Sequence, residues 1–146
     1  MVTGDFAALA LLRAQLSKAS AGAVRDAVKA MAAEATDLVA EGFRTSTAPH
    51  GSVWRPIARA RARNRRRGDR GKPLVDTGRL RASVTTRPQV FADGFSISAD
   101  PVYAATHQYG RGNIPARQFL PLPDLPESWA QRLRDAADEA VMALVT

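Results

Sequence analysis

Residues 83–99, SVTTRPQVFADGFSISA, separate an all-helical reading of this chain from a mixed one. Phe95, Ile97 and Ala99 alternate with Ser96 and Ser98, the period of two that lays one face of a strand on a core. Asp93-Gly94 just ahead of them is a strong short-range hairpin turn signal. On the far side of that turn, Val84 and Thr86 alternate with polar neighbours and are expected to form the first arm. Pro88 has no N–H for a ladder and confines that arm to a sheet edge or a broken strand.

Outward from the hairpin the pattern is helical. Phe6, Leu9, Leu12 and Leu16 fall three and four apart, and after Ser20-Ala21-Gly22 the series resumes with Val24, Val28, Met31, Ala35 and Leu38. Two helices capped anew at Ser20, or one long amphipathic helix with a kink near residues 20–22, both fit the span from Asp5 to Phe43. Its many alanines predict a narrow seam and close packing. At the other end Trp129, Leu133, Ala136, Ala140 and Leu144 outline the apolar face of a C-terminal helix.

Between these elements, residues 45–56 read as a loop, with Trp54 expected to anchor it by its ring. In KPLVDTGRLRASV (72–84), Asp76 or Thr77 is expected to cap a short helical turn with Leu80 facing inward. Residues 102–109 fit a short helix or a strand. IPARQFLPLP (114–123) reads as extended because prolines recur at 115, 121 and 123. The prediction is one α+β domain over residues 1–146: long N-terminal helix, small antiparallel sheet, C-terminal helix.

The chain carries a net charge of +7, and much of it is local. Residues 55–72, RPIARARARNRRRGDRGK, hold nine of the 21 basic residues, and the rest of the chain is close to neutral. Such a segment repels itself, so a flexible loop is expected in the free monomer. Arg59, Arg61, Arg63, Arg65, Arg66, Arg67 and Arg70 suit a phosphate backbone or an acidic protein surface. No aromatic lies between Arg55 and Lys72, so base stacking is not expected there.

Enzyme signatures find little support. Asp76-Thr77-Gly78 matches the aspartic protease triplet, but those enzymes are nearly all-β and the next residue here is Arg79; a capping turn is the simpler reading. His50 and His107 have no companions at metal-ligand spacing, and there is no cysteine. Gly110-Arg111-Gly112 lacks the third glycine of a dinucleotide loop. No catalytic residue, metal or cofactor is expected, and no run of eighteen apolar residues calls for a membrane. The N-terminus lacks the basic region and the A-x-A site of a secretory signal.

An ordered set of motifs carries a resemblance: WRPI (54–57), the basic stretch, LVDTGRLRASV (74–84), the hairpin, YAATHQYG (103–110) and IPARQFL (114–120). In this order they resemble the phage virion morphogenesis family, the tail-completion proteins of Mu-like phages, within the wider neck and tail-terminator group. Departures are the arginine run, Gln118 where proline is common, and Pro121 where glycine is frequent. The resemblance implies a non-enzymatic virion protein, assembled in the host cytoplasm. It would form a hexameric ring at the head–tail junction, with tail tube and connector proteins as partners and DNA passing through the channel. On this reading Trp54, Leu80, Tyr103, Phe119 and Leu120 are structural anchors, and His107, Arg111 and Arg117 are left to bond a neighbouring subunit. The alternative is a non-specific nucleic-acid-binding protein acting through the arginine segment.

Overall fold

The computed structural model describes residues 2–5, 21–57, 73–75, 78–86 and 88–144. Its elements in chain order are β1 (Val2–Asp5), α1 (Ala21–Thr45), α2 (Arg79–Thr85), β2 (Gln89–Val90), β3 (Phe95–Ala99), α3 (Ala104–Tyr109) and α4 (Glu127–Ala143). The architecture is α+β: a three-stranded antiparallel sheet in the order β1-β3-β2, set against helices of which α1 is the longest.

α1 buries Ala27, Val28, Met31, Ala32, Ala35, Leu38, Val39 and Phe43, a stripe that recurs every three to four residues. Arg25, Lys29, Asp37, Glu41 and Arg44 take the solvent side. Four of its buried positions, Ala23 among them, are alanine, so backbones approach closely along the main contact of α1, which is with α4. Arg132 of α4 reaches back to Glu34 of α1 at 2.7 Å and lies 3.9 Å from Glu41, two turns further on. α1 ends in a left-handed residue, Ser46 (φ 55°), and the Thr47 amide closes onto the Gly42 carbonyl at 3.0 Å. That six-to-one bond is the Schellman stop, built here on serine rather than the usual glycine.

The segment expected to be the first hairpin arm divides differently. Val84 lies on α2, where it and Leu80, one turn earlier, face the core. The helix stops at Thr86, whose hydroxyl and amide both turn back to the Ala82 carbonyl. Only Gln89–Val90, beyond Pro88, pair with β3. Val84 thus belongs to a helix, where it shares a face with Leu80 four positions earlier, while Thr86 is the exposed C-cap. The position before α2 is Gly78 with φ 78°, with no side-chain cap; Asp76 and Thr77 lie outside the described residues.

β3 alternates as read, with Phe95, Ile97 and Ala99 buried. Its other neighbour is β1, paired from Val2↔Ala99 to Asp5↔Ser96. The sequence reading has no strand there, since four residues are too few to display a period. The apolar series Phe6 to Leu16 lies outside the described residues. On α4 the buried line is Trp129, Ala130, Leu133 and Ala137, with Val141 packing beside it. Ala136 and Ala140 are only half-buried and Leu144 is 55% exposed, so the face is turned toward the Ala130–Ala137 edge, where small side chains admit α1.

Candidate functional site

Three of the motifs that carry the resemblance, WRPI, YAATHQYG and IPARQFL, meet at one place. α3 is short, and its inward positions are Ala104 and Gln108, one turn apart. The Gln108 side chain is fully buried and serves as a substitute strand. Its Nε2 donates to the Leu120 carbonyl at 2.9 Å, while its Oε1 accepts from the Phe119 and Leu120 amides at 3.0 and 3.1 Å. An extended segment that pairs with no strand thereby has its buried backbone groups satisfied.

Between Gln108 and its partners the chain turns back on itself. Gly110 has φ 77°, and a Cβ built there would sit 2.9 Å from the Ala116 nitrogen and 3.1 Å from the Ile114 oxygen. Conformation and space both require glycine. Arg111 and Ile114 then exchange backbone hydrogen bonds at 3.0 and 2.9 Å around Gly112-Asn113. The Arg117 amide closes the loop onto the His107 carbonyl at 2.7 Å.

The third strand of the knot is WRP. Trp54 is buried, edge-on to Phe43 with ring centroids 5.4 Å apart, and its Nε1 donates to the Gln118 carbonyl at 2.8 Å. Phe43 also meets Phe119 at 5.9 Å. Arg117, 7% exposed, donates from Nε to the Arg55 carbonyl at 2.7 Å and from Nη2 to the Pro56 carbonyl at 3.2 Å. A buried guanidinium on two carbonyl dipoles is a strong tie, because the fork is rigid and its charge has been desolvated.

Of the residues expected to be anchors, Trp54, Leu80, Phe119 and Leu120 are in the core. Tyr103 is not: it is 38% exposed and rests edge-on against His107, with centroids 5.7 Å apart. Tyr103 and His107 lie on the helical row beside the Ala104–Gln108 row, and only the latter faces inward. Arg117, expected to be left for a neighbouring subunit, spends its side chain inside the chain on Arg55 and Pro56. Arg111 is exposed at the turn. Arg59, Arg61, Arg63, Arg65, Arg66, Arg67 and Arg70 lie outside the described residues, as does any conformation of the basic loop beyond Ile57.

Sequence reasoning missed Gln108. The signal for it was present: a polar residue one turn after Ala104, twelve positions before a proline-flanked segment that needs a hydrogen-bonding partner. Among the described residues no group of three or more His, Cys, Asp or Glu side chains is placed to hold a metal. Among them too, no helix is long and apolar enough to cross a membrane. The arrangement therefore holds loops to one another and presents a fixed outer surface; its polar groups are used on the backbone.

Comparison with known proteins bears on the same span. The model of the phage virion morphogenesis family matches residues 6–142. No curated protein and no solved structure gives a significant match.

Proposed function

Because the chain belongs to the phage virion morphogenesis family, we propose that it closes into a ring at the head–tail junction. There it completes the tail and offers a seat to the head connector. Its part in phage assembly, and its association with the virion, follow from the family. The hexameric ring, the neck position, the tail tube and connector partners and the absence of turnover are our reading.

The observation that carries this reading is the use of the motif residues on one another. Trp54, Gln108 and Arg117 all bond to backbone of a distant loop. Such an arrangement suits a part that must keep its shape while held between others. In a phage lacking the gene, electron micrographs are expected to show filled heads and unjoined tails accumulating separately, and a plasmid copy should restore particles. Normal joined particles without the protein would sink the proposal.

A second reading is favoured by the nine basic residues of positions 55–72. Their root at Arg55–Pro56 is held by Arg117, so that charge enters from a fixed point. On this reading the segment binds nucleic acid through phosphates, without sequence preference. Replacing Arg65, Arg66 and Arg67 by glutamine should then abolish retention of DNA on a filter at low salt. If assembly alone is impaired and retention is unchanged, the segment serves a protein partner.

A further inference from the structure

The turn after α3 is rigid and open to solvent. Gly110 is wedged against the Ala116 backbone, and the Arg111–Ile114 hydrogen bonds fix the tip. Yet Tyr109 is 61% and Ile114 40% exposed. Arg111 between them makes no side-chain hydrogen bond or ion pair among the described residues. A preformed turn loses little conformational entropy on docking, and tyrosine and arginine are residues on which interfaces concentrate their binding energy.

A surface of opposite sign lies on α4. Asp135, Asp138, Glu139 and Met142 fall at i, i+3, i+4 and i+7, and all four are exposed. The arginines that could neutralise this stripe from within α4 are engaged elsewhere: Arg132 with Glu34, and Arg134 with Glu127. Asp135 accepts a bond from Gln131, while Asp138 and Glu139 have no partner among the described residues. α4 packs chiefly on α1, whereas α3 packs on β1, so the two surfaces sit on different parts of the fold.

We propose that the Tyr109–Ile114 turn of one copy docks on the Asp135–Met142 stripe of a second copy. Arg111 pairs with Asp138 and Glu139, and Tyr109 and Ile114 cover Met142. Two different surfaces that fit each other make a heterologous contact, the kind that repeats head to tail and closes into a ring when the rotation allows. The inference rests on the ring-assembly reading above and supplies its surfaces.

The test is the subunit dissociation constant of the full-length chain, from sedimentation and light scattering across a concentration series. Arg111→Glu alone, and Asp138→Lys with Glu139→Lys, should each raise that constant about tenfold or more. All three changes together should restore most of the loss, because the charges are exchanged. Should a reversal unfold the chain in a thermal melt, the neutral variants Arg111→Gln and Asp138→Asn/Glu139→Gln carry the test, and each must still weaken association. Reversals that leave the oligomer intact overturn this contact and spare the ring. Reversals that dissociate it without rescue in the triple variant overturn the charge pairing. A wild-type chain that stays monomeric throughout overturns both the contact and the ring.

Discussion

Arg117 donates from Nε to the main-chain carbonyl of Arg55 at 2.7 Å, across 62 positions of sequence. Together with the bond to Pro56, this joins the PAR motif to the WRP motif. A buried guanidinium forked onto two carbonyls depends on the shape of its donor group. Arg117→Lys keeps the charge but cannot span both carbonyls, so it should cost about 2 kcal/mol. Arg117→Ala should cost somewhat more. Urea denaturation checks this through the midpoint, at unchanged slope; equal stability of the lysine variant and wild type would refute it.

Gln108→Glu should make stability depend on pH. One carboxylate oxygen can still accept from the Phe119 and Leu120 amides, but the other would face the Leu120 carbonyl where an N–H now donates. Burial and that carbonyl favour the protonated acid, so the folded-state pKa lies above the unfolded value of about 4.3. The folded state then binds more protons between the two pKa values, and stability falls as pH rises through that window. The variant should approach wild type near pH 4 and lose about 2–4 kcal/mol by pH 8. Thermal melts at several pH values, with Gln108→Ala as the pH-independent control, measure it.

Gly110→Ala and Gly112→Ala should part company. Both positions have positive φ, 77° and 56°; at Gly112 alanine carries a left-handed penalty of about 1 kcal/mol, whereas Gly110, with ψ 158°, sits in a region essentially reserved for glycine. Only at Gly110 does the added methyl also meet backbone, at 2.9 Å; at Gly112 nothing lies within 4 Å. The Gly110 variant should therefore lose about 2–4 kcal/mol and the Gly112 variant about 1. Comparable losses in paired denaturation curves would contradict the close approach.

Ser46→Gly is expected to stabilise. Ser46 holds the left-handed position that ends α1, and its side chain makes no hydrogen bond there. Relieving that strain should be worth about 0.5–1 kcal/mol, a rise in Tm of about 2–4 °C for a chain of this size. Calorimetry would settle the sign.

The parts legible in the sequence were those with a long period or a crowded motif. The Val28–Met31–Ala35–Leu38 series and the Phe95–Ile97–Ala99 alternation stand in the fold as read. Short elements were harder. The spacing of Val84 and Thr86 suits a strand, but Val84 also lies four positions after Leu80, and that pair shares the buried face of α2. β1 has four residues and owes its existence to β3, a partner more than ninety positions away. The framework was half visible: Trp54 and Phe119 announced themselves by size. Gln108 and Arg117 looked like surface residues, because a polar side chain that serves the backbone leaves no pattern of its own.

The framework also bears on how such a chain can change over time. Trp54 is buried at one root of the arginine segment, and Leu74 and Val75 are buried at the other. Between two fixed roots, loop length is cheap, since doubling it adds only about 0.6 kcal/mol of closure entropy. A change in the number of residues between these roots therefore costs little and need not disturb the burial of Trp54, Leu74 and Val75.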